Sequence, residues 1–336
     1  MIAPAPVTLL IDAAGDRDAA ALLPVTGLDR ARDAASRAPG PWSGIYLERP
    51  LGGGGDRLDL LLVARRPLGA ALEGWASIQE LPGVSMALRY LTGWRSGDGL
   101  ALVEFDLPAG ARPRAGLMIC IDAAFPERGL TPPAPAPATT RAALAAALVA
   151  LGLDADPRAL DAAAVCERLQ PFGRPIHLSV MAGRPGAPLK LNVSLPRTGL
   201  TELTELTELT GLTGLVSGAQ RDALETLLEA LAPDLTQLKL DLRVSPGGPV
   251  GLELRYPPSD ADAWGALAEA LSLRGLCTGP EAAALAAWPG AHRQRLPGYG
   301  SPARVDRDLQ IKLVVGDGPP RAKAYLGLRA RFGLFL

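Results

Sequence analysis

Side chains able to hold an ion or move a proton recur at every second position in four of the five paired stretches of this chain. In LALVEFDLP, Glu104 and Asp106 alternate with Val103, Phe105 and Leu107. In PIHLSVM the polar positions are His177 and Ser179, with Met181 on the same side; in PLKLNVSLP they are Lys190, Asn192 and Ser194. LKLDLRV offers Lys239, Asp241 and Arg243, and VGLELRY offers Glu253 and Arg255. The last pair presents Gln310 and Lys312, then Lys323 and Tyr325. Cations in such a set can grip an anion, and carboxylates can accept protons. The same mixture is also what a network of mutually paired charges looks like, because buried charges persist by pairing.

Alternation of period two marks strands with one apolar and one polar face. Each pair is joined by a short link, as in a hairpin. The hairpins span about 43–65, 100–124, 175–196, 238–257 and 308–331, and a GlyGlyGlyGly tract at 52–55 turns the first. Amphipathic segments between them read as helices, near Asp29 to Arg37 and over about 157–169, 218–232, 260–273 and 280–288. RAALAAALVALG reads as a helix capped by Thr139 or Thr140 and ended by Gly152. Val7 to Ile11 reads as a strand. Trp75, Trp94, Trp264 and Trp288 read as anchors between layers.

The predicted fold is α+β: a ten-stranded antiparallel barrel of five repeated strand hairpins surrounded by helices, in one domain over 1–336. Closure hides every strand edge. The helices must cover the apolar face of the sheet, which turns the polar face into a lumen. Two stretches stand outside the repeats: a Pro/Ala-rich loop at 130–140, and a TEL triplet repeat at 201–215, whose period of three makes a poor helical stripe.

Composition narrows the functions. The chain has 336 residues, 48% hydrophobic, 21% charged, with a formal net charge of -1. That balance argues against a nucleic-acid partner. Cys120, Cys166 and Cys277 are odd in number and far apart, which reads as reduced thiols in a cytoplasmic protein. With only His177 and His292, a zinc site of His/Cys spacing is not expected. The start lacks the basic segment of a signal peptide. No apolar run reaches about 18 residues, so no spanning helix is expected. His292, Arg293 and Arg295 read as a solvated basic loop. The glycine tract lacks the Lys-Ser/Thr of a P-loop.

This order of strand pairs and helices resembles the ABBA, or PT-barrel, fold of aromatic prenyltransferases, over about residues 43 to 331. The last hairpin, IKLVV…RAKAYLGL, resembles the Lys/Arg-x-Tyr strands with which those enzymes hold a diphosphate. The resemblance implies isoprenyl transfer from an allylic diphosphate to an aromatic or peptide acceptor. It makes Lys190, Arg243, Arg255, Lys312 and Lys323 the diphosphate-binding cations, with Tyr325 as shield and hydrogen-bonding partner. It makes Glu104, beside Asp106, the carboxylate that deprotonates the acceptor. His177, Asn192, Lys239, Asp241, Glu253 and Gln310 would line the lumen. The Asp-rich DDxxD signature of helical prenyltransferases is absent, which is compatible with the barrel class, whose members often need no metal; the resemblance implies no required cofactor, with Mg2+ possible. The alternative is a non-catalytic barrel that binds a small molecule or peptide, such as an accessory protein of a natural-product pathway. Cations converging on one point favour the transferase; cations each paired to a carboxylate favour the binder.

Overall fold

The computed structural model describes residues 7–15, 19–65, 67–94, 100–122, 137–169, 173–198, 216–235, 237–244, 248–299 and 302–331. Five hairpins form the frame: β1 (Gly44–Pro50) with β2 (Asp59–Ala64), β3 (Ala101–Asp106) with β4 (Arg114–Cys120), β5 (Arg174–Val180) with β6 (Leu189–Pro196), β7 (Gln237–Arg243) with β8 (Val250–Leu254), and β10 (Ala303–Val315) with β11 (Arg321–Arg331). Successive hairpins also pair with one another, so that β2 meets β3 through Leu60 opposite Phe105, and β8 meets β10 through Glu253 opposite Lys312. β11 returns to β1, with Tyr325 opposite Glu48, and the ring of ten antiparallel strands is closed. All five hairpin turns lie at one end of this up-and-down barrel, and the helical connections lie at the other.

The helices wrap the outside. They are α1 (Val7–Ala14), α2 (Val25–Arg37), α3 (Val84–Gly93), α4 (Pro137–Leu151), α5 (Pro157–Leu169), α6 (Gly218–Leu231), α7 (Ala261–Leu273) and α8 (Gly279–Ala287), with a 3-10 stretch at Gly69–Ile78. Their apolar stripes meet the outward residues of the strands in one continuous core, which takes in Leu47, Leu60, Val103, Leu191, Leu240, Ile311 and Leu326. Each fully buried aliphatic contributes roughly 1.5–3 kcal/mol. Four tryptophans are fixed in the coat through satisfied indole donors. Trp42 donates to the Ala38 carbonyl at 2.9 Å, Trp75 to Pro39 at 3.0 Å, Trp264 to Pro257 at 3.1 Å and Trp288 to Asp308 at 2.9 Å. Capping boxes start α6 (Ser217 with Gln220) and α8 (Thr278 with Glu281). Gly83 before α3 has φ +89°, and a Cβ there would collide with the Ala115 carbonyl. No helix among the described residues is long and apolar enough to cross a membrane.

Four expectations need correction. Val7 to Ile11 is not a strand but the first turns of α1. Val7, Leu10, Ile11 and Ala14 fall at i, i+3, i+4 and i+7, all buried, and that helical period overrides the β-branched bias. His292 is not in a loop: it lies on an eleventh strand, β9 (Gly290–Gln294), which pairs with the first half of β10 outside the ring, His292 opposite Val305. β10 accordingly starts at Ala303, five residues earlier than the alternation suggests. The helix α4 begins at Pro137, inside the Pro/Ala tract and ahead of Thr139 and Thr140, because proline is well suited to a first helical position. The TEL repeat at 201–215 and residues 130–136 of the Pro/Ala loop lie outside the described residues.

Candidate active site

The barrel encloses a cavity of about 880 Å3. Strand alternation aims the polar set at it, as the hairpin reading requires. Glu104, His177, Lys190, Lys239, Asp241, Arg243, Glu253, Arg255, Gln310, Lys312, Lys323 and Tyr325 all line this cavity. Two residues of the sequence-derived set do not. Asn192 points inward but is packed beneath the wall, where it accepts from the Ser179 hydroxyl at 3.3 Å. Asp106 sits at the turn end and lines a smaller neighbouring cavity.

The lysines are bound into ion pairs. Asp241 holds Lys312 and, at 3.3 Å, Lys190. Lys312 also lies 3.6 Å from Glu253, which accepts from Lys239 at 2.6 Å. The result is a chain of alternating charge across β6, β7, β8 and β10. Gly251 makes the crossing feasible, since a Cβ there would collide with Lys312 Cε. Burial opposes ionisation of Asp241, but Lys190 and Lys312 outweigh it and hold its carboxyl well below the usual range. Burial likewise opposes the charge on Lys312, yet Asp241 and Glu253 raise its pKa. At Lys190 burial wins and lowers the ammonium. On the neighbouring strand β11, Lys323 stands opposite Lys312 and pairs with Glu48 of β1 at 2.5 Å. Burial would raise the Glu48 carboxyl, but Lys323 and Lys312 hold it at about 2. Arg255 pairs with Asp308 at 2.8 Å.

Glu104 is the contrasting carboxyl. Burial pushes it up to about 7 despite Arg184, with Glu48 and Asp106 adding like charge. Arg184, from the β5–β6 turn, donates to Glu104 at 2.6 Å and clasps Asp106 through two bonds of 2.5 and 2.7 Å. His177 is held neutral, its pKa well below the ordinary value, by burial and then by Lys239 and Arg174. The Tyr325 hydroxyl is raised by burial and by the carboxylates Glu48, Glu253 and Glu104, and its ring lies 5.9 Å from Lys312 Nζ.

The polar alternation misses half of the lumen. One sector is apolar: Leu61, Val63, Leu100, Leu102 and Cys120 cluster there, with Tyr46, Met118 and Tyr325 against them. Cys120 packs behind this sector without lining the cavity, its thiol donating to the Asp122 carbonyl at 3.0 Å, and burial pushes it up to about 11. Tyr46, Glu48, Arg57, Arg184, Arg321 and Arg329 also line the cavity and were not singled out from sequence. Two signals could have found some of them. SGIYLERP places Tyr46 and Glu48 on one face by the same alternation. And only four of the chain's 34 basic residues are lysine; all four, Lys190, Lys239, Lys312 and Lys323, face the lumen. Altogether the wall carries eleven basic side chains against four carboxylates, in a chain of net charge -1.

Among the described residues no group of three or more His, Cys, Asp or Glu side chains could hold a metal ion. Asp241 and Glu253 have the oxygen donors that Mg2+ takes, but both are engaged by lysines, so the residues as arranged do not form an Mg2+ seat.

A closed ring of ten antiparallel strands, polar within and coated by helices, is the PT-barrel or ABBA fold, and this chain has it. The solved structures it resembles include 6-dimethylallyltryptophan synthase from Micromonospora olivasterospora, in complex with DMASPP and Trp. That match has 15% identity and a TM-score of 0.53, over 96% of this chain and 94% of that one. 5-Dimethylallyltryptophan synthase from Streptomyces coelicolor matches at 14% identity and TM-score 0.53, over 96% and 95% of the two chains. The apo form of the prenyltransferase PriB matches at 14% and 0.54, over 96% and 93%. No protein-family model and no curated protein matches the sequence.

Proposed function

We propose that this chain transfers an isoprenyl group from an allylic diphosphate to an aromatic or peptide acceptor inside the barrel. One observation carries the reading: a wall with a large excess of cations over carboxylates stands beside an apolar sector. A prenyl diphosphate has those same two ends. Lys190, Lys312 and Lys323, with Arg243 at the turn end, would hold the diphosphate; Leu61, Leu102 and Met118 would shelter the hydrocarbon. The allylic C–O bond breaks, its electron pair leaves with the diphosphate, and the cations offset the growing charge. The rings of Tyr46 and Tyr325 face the allylic cation. The acceptor's π electrons form the new C–C bond, and its proton passes to Glu104, whose pKa near neutrality suits a general base. The lumen's own cations supply the charge in this scheme, and no step is assigned to a metal. Three free, buried thiols support a reducing compartment such as the cytoplasm.

A second reading, a barrel that binds such a ligand without turning it over, is favoured by a different observation. Every lysine in the lumen already has a carboxylate partner, and among the described residues Tyr46 and Tyr325 are the only Phe, Tyr or Trp rings on the cavity wall. Incubation with dimethylallyl diphosphate and tryptophan, or aromatic peptides, followed by mass spectrometry separates the two. Transfer is expected, lost with donor binding in the Lys312→Ala, Lys323→Ala double variant. Saturable binding of a thiolodiphosphate analogue with no product from any acceptor establishes the binder. No binding of either ligand ends both readings.

A further inference from the structure

Beside the lumen, at the turn end, lies a second cavity of about 490 Å3. Its charged lining is Arg57, Arg114, Arg158, Arg184 and Arg243 against a single acid, Asp106. Three of these arginines are fixed by carboxylates. Arg57 bonds Asp59 at 2.8 and 3.0 Å through Nη2 and Nε, which leaves Nη1 facing elsewhere. Arg158 is clamped by Asp156 and by the carbonyls of Gly186 and Ala187. Arg184 is clasped by Asp106 and Glu104. Arg114 and Arg243 have no ion pair among the described residues. The cavity is therefore rigid on one side and carries uncompensated guanidinium on the other.

The contrast with the lumen is chemical. The lumen mixes arginines with four lysines, each of them neutralised by a carboxylate; the turn-end cavity takes its cations from arginine alone. Guanidinium presents a planar fork that fits phosphoryl oxygens two at a time and never loses its charge. Arg57, Arg184 and Arg243 line both cavities, so they form the wall between them. An anion leaving the lumen toward the turns meets this cavity next.

We propose that the turn-end cavity is a second, arginine-built site for a phosphoryl anion, separate from the lysine lumen and joined to it through Arg184. Two sources share that chemistry: released inorganic diphosphate, and a phosphate group on the acceptor. Arg184 gives the site a link to the reaction, because an anion that draws its guanidinium also loosens its hold on Glu104.

The test is calorimetric titration of the full chain with inorganic diphosphate, alone and after saturation with dimethylallyl thiolodiphosphate. One equivalent is expected to bind the saturated chain. Arg114→Gln weakens it about tenfold or more, the loss of one charge-assisted hydrogen bond; Arg114→Glu abolishes it. Arg114 is partly exposed and has no ion pair to lose, so both variants fold. Phenyl phosphate in the same titration separates the sources: tighter diphosphate identifies the leaving group, tighter phenyl phosphate a phosphorylated acceptor. Absence of binding to the saturated chain, or wild-type affinity in both Arg114 variants, overturns the proposal. Should the thiolodiphosphate fail to bind while diphosphate still binds through Arg114, the transferase reading falls and the second site stands.

Discussion

Replacing Glu48 by Gln tests how much the lumen's ion pairs contribute to the fold. Glu48 is 2% exposed and bonded to Lys323 at 2.5 Å. Burial alone would raise its carboxyl above the ordinary 4.5; Lys323 and Lys312 hold it at about 2. At about 1.4 kcal/mol per unit, a drop of about 2.5 units makes the ionised form worth about 3 kcal/mol to the folded state. Because the folded pKa is depressed, that stability is present above pH 4.5 and is lost as pH falls toward 2. Glutamine mimics the protonated acid. Urea unfolding should place Glu48→Gln about 3 kcal/mol below wild type at pH 7, and the gap should close to under about 1 kcal/mol near pH 2. The same variant frees Lys323, so a thiolodiphosphate donor analogue should bind about tenfold more tightly at pH 7. A stability gap that stays constant with pH, or no gap at pH 7, would refute the assignment of Glu48 as a charged partner buried in the wall.

Glu104 should behave in the opposite sense. Its folded pKa is raised to about 7, so the stability it contributes is present below pH 4.5 and lost as pH rises through 7; Glu104→Gln should therefore match wild type at pH 4 and exceed it at pH 8 by denaturant unfolding. The rate of prenyl transfer should rise with pH through about 7 in wild type and lack that rise in Glu104→Gln, which a pH–rate profile reads directly. Lys312→Met leaves Asp241 and Glu253 with one cation each, Lys190 and Lys239, and should cost about 1–3 kcal/mol, measured by the midpoint and slope of urea unfolding.

The frame was legible in the sequence because each hairpin encodes two faces at once. Leu189, Leu191 and Val193 face the coat while Lys190 faces the lumen, and both demands are met only by alternation. What failed was whatever lacks that contrast. DLLLVA in β2 is buried at all six positions, so its inward members, Leu61 and Val63, cannot be told from its outward ones, and the apolar sector went unseen. Arg184 sits in a turn, where no period assigns a face, and its contact with Glu104 crosses 80 residues of chain. AHRQR looked like a solvated loop because β9 is half exposed and rests on one neighbour, without the second face that makes a pattern. Alternation also placed Glu253 and Lys312 on the same side but could not say that they would meet, since that depends on the register between β8 and β10.

The distribution of lysine has a practical consequence. Reagents that acylate primary amines find none on the outer surface of the described barrel, apart from an α-amino terminus. All four ε-amines are 28% exposed or less at the side chain, and all open into one hollow. Amine coupling to a bead or dye would report occupancy of the interior rather than decorate the exterior, and a ligand that fills the hollow would be read as protection of every lysine the chain has.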